Sequence, residues 1–225
     1  MMQVSVIIPT LNEASSIAGL IQQTRLVGDC EIIVIDGGSS DGTVERAHAA
    51  DIVLSTKSGR ANQQNSGAAA SSGNVLLFLH ADCQLQPGCF DAIAAALENP
   101  NCVGGAFRQT IDATGLRYRI LEWGNSVRVK LFGWAYGDQG IFVRRETFEE
   151  LGGFPDFKLM EDLFFMKCLK KTGKVTLLNH RITVSARRWQ KKGIIRQTIR
   201  NWALITAAHC GINPNKLARF YPHVR

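Results

Sequence analysis

The sequence predicts an α/β protein with a mostly parallel, Rossmann-like central sheet and helices on both faces, on three observations. Its strand-like segments are continuous apolar runs, as in "VIIP", "EIIVID" and "VLLFL", the signature of strands buried on both sides. Segments of helical period separate them, so successive strands need right-handed crossovers rather than hairpins. The runs also end in loops of Asp, Asn, Ser, Thr and Gly, where open α/β sheets bind their ligands.

Taken in order, "QVSVIIP" opens as a strand and "EASSIAGLIQQTRLV" follows as an amphipathic helix. "EIIVID" is a second strand, "DGTVERAHA" a helix and "DIVLS" a short third strand. "RANQQNSGAAAS" is a helix leading to the strand "NVLLFLHAD", and Pro87 starts the helix "PGCFDAIAAALEN". The alternation then loosens: "CVGGAFRQTI" reads as a strand, "LRYRILEWGNSVRVKLF" as a long helix and "QGIFVRR" as a strand. "ETFEELGGF" is a short helix closed by glycines, and "MEDLFFMKCLKKTG" is a helix ending at Gly173. "KVTLL" and "ITVSA" are short strands, and "GIIRQTIRNWALITAAHCG" is a helix ending at Gly211. No repeat or low-complexity linker divides the chain. The expectation is one main domain over residues 1–190 and a basic helical extension over 191–225 packed on it.

Composition narrows the function classes. With 45% hydrophobic residues in 225, the chain can bury an ordinary globular core, which excludes disorder. No apolar run reaches the roughly 18 residues that span a bilayer, and "MMQVSVIIPTLNE" lacks a basic leader, so a cytoplasmic location is expected. The six cysteines have no C-x-x-C spacing and read as buried thiols rather than a zinc site. Charge is segregated: residues 1–162 hold all 19 acids and 12 of the 26 bases, whereas residues 163–225 hold 14 bases and no acid. That confines the basic field to one quarter of the chain, which fits a phosphate-rich ligand or an anionic membrane face, or plain solvation, better than nucleic acid.

Three strands deliver polar residues to one sheet edge: Pro9, Thr10, Asn12 and Glu13 after the first, Asp36 after the second and Asp82 after the fourth. Asp36 is placed to accept hydrogen bonds from a ribose or base, or else serves as a turn residue. A dinucleotide-binding oxidoreductase would need G-x-G-x-x-G after the first strand, and "PTLNEASSI" contains no glycine. No G-K-[ST] supports a nucleoside triphosphatase. Asp82, with diphosphate oxygens and water, suits a divalent metal, Mg or Mn.

The segments "VSVIIPTLNE", "EIIVIDGGSSDGT", "GRANQQNSGA", "NVLLFLHADC", "GDQGIFVRRETFEELGGFP", "MEDLFF" and "SARRW" resemble, in order and spacing, the family 2 glycosyltransferases of GT-A fold, in their short bacterial branch. The resemblance covers about residues 3 to 190. It implies an inverting, metal-assisted transfer of sugar from a nucleoside-diphosphate sugar to a saccharide or lipid-linked acceptor. By it, Pro9, Thr10, Asn12, Glu13, Asp36, Arg60 and Asp82 bind the donor, with Asp82 also the metal ligand. Asp82 matches the last acid of the family's D-x-D motif, but His80 stands in the first position. Asp162 matches the general base and Glu161 its neighbour that positions the acceptor; both also suit a helix N-terminus on dipole grounds alone. Asp138, Gln139, Arg188 and Trp189 line the acceptor side, although Ser185 replaces the glutamine of the Q-x-x-R-W motif.

Two other classes remain open: a non-catalytic nucleotide-sugar or carbohydrate binding module, and a nucleotidyltransferase. The presence of both "MEDLFF" and Asp82 disfavours the first, and the absence of a glycine-rich basic first loop disfavours the second. In the basic tail, Ile194, Ile195, Ile199, Trp202 and Ile205 or Thr206 recur at helical spacing, with Arg196 and Arg200 on another face. That helix either packs its apolar face on the main domain or lies on an anionic bilayer, peripheral to the inner face of the membrane.

Overall fold

The computed structural model describes residues 2–221, leaving aside the side chains of Arg188, Lys191 and Lys192. The first half alternates as expected: β1 (Val4–Thr10), α1 (Ile17–Val27), β2 (Glu31–Asp36), α2 (Thr43–Arg46), β3 (Ile52–Ser55), α3 (Arg60–Ala70) and β4 (Val75–Phe78). Then come β5 (Cys83–Leu85), α4 (Cys89–Leu97), β6 (Cys102–Asp112), α5 (Leu116–Phe132), β7 (Ile141–Arg144), α6 (Arg145–Glu150) and α7 (Glu161–Thr172). β8 (Lys174–Ser185), α8 (Arg187–Lys192), α9 (Ile194–His209) and α10 (Pro214–Leu217) complete the chain.

All eight strands form one sheet in the order β3-β2-β1-β4-β7-β6-β8-β5. β2, β3 and β4 pair in parallel around β1, so the order reverses at β1 and leaves a crevice at the carboxyl ends of β1 and β4. The second half is mixed. β7 is inserted between β4 and β6 and runs against both, β5 runs against β8, and β6 with β8 is again parallel. The expected "KVTLL" and "ITVSA" strands are one strand, β8, whose register against β6 shifts at Phe107/Arg108. α2 is only four residues long. β5, α8 and α10 had no sequence forecast, since three residues or a six-residue run of "RRWQKK" carry no readable period.

Alternation along the strands sorts the core into two layers. Val4, Val6 and Ile8 of β1 and Val75 and Leu77 of β4 face α1 and α4, which contribute Ile17, Leu20, Ile21, Phe90 and Ile93. Ile7, Leu76 and Phe78 face the other way, onto α3 and the aromatic cluster of Phe148, Phe154 and Phe165. Helices thus cover both faces. Cys83, Cys89 and Cys102 are buried as expected, but Cys30 is only partly buried, and Cys168 and Cys210 are exposed because they lie on the outer faces of α7 and just past α9.

Candidate active site

The ends of β1 and β2 are stitched together before any ligand is considered. Thr10 and Asp36 are paired in the sheet register, and the Thr10 hydroxyl donates to Asp36 Oδ1 at 3.3 Å. Asp36 Oδ2 accepts from the Gly38 and Ser39 N–H groups at 2.9 and 2.8 Å, and the Ser39 hydroxyl donates to its Oδ1. Asn12, at a left-handed φ of 55° that asparagine tolerates, receives the Ser40 N–H on Oδ1 and gives its own N–H to the Ser39 hydroxyl. Glu13 receives the Ser16 hydroxyl and faces Arg187 at 3.9 Å. Gln63, which the sequence did not single out, donates to the carbonyls of Thr10 and Ile35 at 2.8 Å each and ties both strand ends to α3. Pro9, Thr10 and Asp36 are buried, and Asp36 is 2% exposed, so this set forms a floor at the strand ends rather than a lined cavity.

Beside it lies a cavity of about 120 Å³ that gathers Arg60, Asp82, Asp138, Asp162 and Trp189. Arg60 is the first residue of α3, Asp82 sits in the turn between β4 and β5, and Asp162 is the second residue of α7. The Ser185 N–H donates to the Asp82 carbonyl at 3.1 Å, which fixes the end of β8, and Trp189 after it, next to that turn. His80, Tyr136, Met160, Leu204, Ile205 and Tyr221 also line the cavity. Burial works against the Arg60 charge, yet Glu161, Tyr221, Asp162 and Asp82 outweigh it and raise its pKa above the usual guanidinium value. A fixed cation is therefore surrounded by three carboxylates.

The two neighbouring acids of α7 are placed differently, as their 100° separation requires. Asp162 lines the cavity, with Oδ2 accepting from the Gly137 N–H and Oδ1 from the Leu163 N–H, both at 2.7 Å. Glu161 is 2% exposed and does not line it; burial first, then Asp162, push its carboxyl up to about 7 against the opposing pull of Arg60. Met160, just ahead of both, adopts a left-handed φ of 65° that is strained for a side chain of its size.

Gln139 does not project toward the cavity. It is fully buried, its Oε1 taking bonds from Arg128 at 2.6 Å and the Tyr136 N–H at 3.3 Å. Arg128 in turn stacks 3.6 Å from the Tyr136 ring, and burial lowers the guanidinium's pKa. Burial, opposed by Arg128, pushes the Tyr136 phenol up to about 12, so it stays a neutral donor in the cavity lining. Arg128 sits mid-helix in a basic segment, and nothing in the sequence marked it. The Arg188 side chain lies outside the described residues.

Among the described residues, no group of three His, Cys, Asp or Glu side chains is arranged to hold a metal ion. Asp82 alone fits a cation carried in with phosphate oxygens, not one caged by protein.

Comparison with known proteins gives a consistent picture. Residues 5–165 match Glycosyl transferase family 2. A curated relative, the undecaprenyl-phosphate 4-deoxy-4-formamido-L-arabinose transferase of Enterobacter sp. (strain 638), is 30% identical over 156 residues, 63% of this chain and 48% of its own. The chain therefore spans about half the length of that relative. The mannosyltransferase PcManGT of Pyrobaculum calidifontis, solved with GDP-Man and Mn2+, superposes with a TM-score of 0.66 at 19% identity, covering 99% of this chain and 65% of that one. TarS of S. aureus with UDP-GlcNAc gives 0.65 at 16% identity, over 82% and 58%. The glucosyl-3-phosphoglycerate synthase of Mycobacterium tuberculosis, with Mn2+, UDP and glucosyl-3-phosphoglycerate, gives 0.64 at 22%, over 94% and 81%.

Proposed function

Since the chain belongs to glycosyl transferase family 2 and has the GT-A fold, we propose that it transfers a sugar from a nucleoside-diphosphate sugar to an acceptor hydroxyl, with inversion, in the cavity described above. The observation that carries this reading is the convergence of Arg60, Asp82 and Asp162 on one cavity at the carboxyl edge of β1 and β4. The Pro9–Glu13 loop and Asp36 hold the nucleoside, and Arg60 stabilises the diphosphate. Asp82 holds a divalent cation, Mg or Mn, together with the diphosphate oxygens; when bound, the cation neutralises charge that develops on the leaving group.

Asp162 is the general base. Two backbone N–H groups orient its carboxylate in the cavity, where it takes a proton from the acceptor. The acceptor oxygen attacks the anomeric carbon on the face opposite the nucleoside diphosphate, so no covalent enzyme intermediate forms. Trp189, Tyr136 and Asp138 supply the surface on which the acceptor lies, aromatic faces for a sugar or lipid and a carboxylate for a hydroxyl. A lipid-linked acceptor is supported by the name of the curated relative, and a saccharide by the mixed polar and aromatic lining. The reaction takes place on the cytoplasmic side, in a main domain of residues 1–190 whose cavity the 191–225 extension completes.

Two variants separate the assigned roles. Asp82→Ala loses metal-dependent binding of the donor, whereas Asp162→Asn keeps donor binding and loses turnover by roughly a hundredfold or more. Turnover at the wild-type rate in both variants overturns the mechanism.

A further inference from the structure

The faces of α5 and α9 that turn away from the body carry large apolar side chains. On α5 these are Leu116, Ile120, Trp123, Leu131 and Phe132, all at least half exposed, with Trp123 at 69%. Apart from adjacent Phe132, their spacing of four, three and eight residues keeps them on one stripe. On α9 they are Ile195, Ile199 and Trp202, the last 72% exposed. The end of α5 reaches α9 through one ring: His209 packs 4.8 Å from the Trp134 ring, which stacks 5.0 Å from Phe132. Leu204, on the opposite face of α9, and Ile205, at the edge of the stripe, line the cavity. One helix thus separates the apolar surface from the site.

Charge selects what covers this surface. Arg117, Arg119 and Lys130 flank the α5 stripe, and Arg196 and Arg200 the α9 stripe. The single acid of α5, Glu122, is buried and neutralised by Arg119 at 3.0 Å and Arg181 at 3.9 Å. α9 has no acid, nor does any position after Asp162; the exposed acid nearest in sequence is Asp112, at the end of β6. Aromatic and aliphatic side chains set among bases, with no exposed acid on either helix, match the boundary of an anionic bilayer, which takes up rings at headgroup level and attracts bases. Among the described residues no helix is long and apolar enough to cross a membrane, so these helices would lie along it.

We infer that α5 and α9 together form a platform that docks this protein on an anionic lipid surface, with the cavity behind α9 opening toward the headgroups. The inference stands apart from the transferase reading, because vesicle binding and donor binding are read separately.

The test is flotation of the full chain with vesicles of phosphatidylcholine alone and of phosphatidylcholine with phosphatidylglycerol, at low and high salt. The expected result is binding to the anionic vesicles only, weakened by salt. Trp123→Ser and Trp202→Ser combined should reduce it by roughly tenfold or more, while thermal melting stays unchanged. The conservative Trp123→Phe with Trp202→Phe should restore most of it. No binding to anionic vesicles, or equal binding by the double serine variant, overturns the platform. So does a dimer by light scattering that the same serine pair converts to monomer, since the faces would then cover each other.

Discussion

A Cβ at Gly137 would overlap Nε2 of His80 and come within 2.7 Å of its Cε1 and 3.5 Å of Asp162 Oδ2. Gly137→Ala should therefore displace His80 and loosen the bond that orients Asp162, lowering turnover roughly ten- to a hundredfold with little loss of melting temperature. An active variant would show that His80 has room to move. Glu161 makes a pH prediction. Its folded pKa of about 7 lies above the ordinary 4.5, so the folded state keeps a proton that the unfolded chain releases. Its contribution to stability is fully present below about 4.5 and is lost as pH rises through about 7. Between pH 5 and 8 the wild type should lose melting temperature relative to Glu161→Gln; parallel curves would contradict the assignment. At this scale the sequence was informative where a motif carried the residue, as with Asp82, Asp162 and Trp189, which share the cavity. It was silent on Gln63 and Arg128, whose roles depend on which carbonyls and rings the fold brings to them.

α3 positions Arg60 only because it can lie directly on β1 and β2. A Cβ at Gly67, in its middle, would overlap Ile7 Cγ2 and sit 3.1 Å from Ile35 Cγ1. Helix propensity favours alanine there by about 1 kcal/mol, but overpacking against two rigid β-branched core residues costs about 1–3 kcal/mol. Gly67→Ala should thus destabilise by about 1 kcal/mol in chemical denaturation and weaken donor binding as α3 tilts; a net gain in stability would mean that the sheet yields. At the start of α7, Met160→Val would put a β-branched residue at a left-handed φ and cost about 1–2 kcal/mol, moving Asp162 with it. The elements themselves were largely legible, since long periodic segments such as residues 116–132 announce their class. The antiparallel insertion of β7 was not, because strand direction depends on distant pairing that a local pattern does not encode.

Across the whole molecule, the C-terminal segment is structurally part of the site. Leu204 and Ala208 of α9 pack with Leu217 against Leu159, Met160 and Phe164, and Ile205 reaches the cavity. Ile205→Ala should raise the acceptor KM by roughly tenfold while leaving donor affinity unchanged, whereas a shift in donor affinity alone would place this wall on the other side of the reaction. The amphipathic period of this helix was readable, but periodicity offered two destinations for its apolar face. The fold packs Leu204 and Ala208 on the body and leaves Ile195, Ile199 and Trp202 exposed, an outcome that depends on contacts distant in sequence.

The most direct test of the account is a calorimetric titration of the full chain with UDP, GDP, dTDP and CDP and their sugars, with and without Mg2+ or Mn2+. The account predicts one preferred nucleotide whose binding strengthens with the metal and whose metal dependence is lost in Asp82→Ala. Silence across all of them would contradict it, leaving Asp36 as a turn residue and the cavity without a donor.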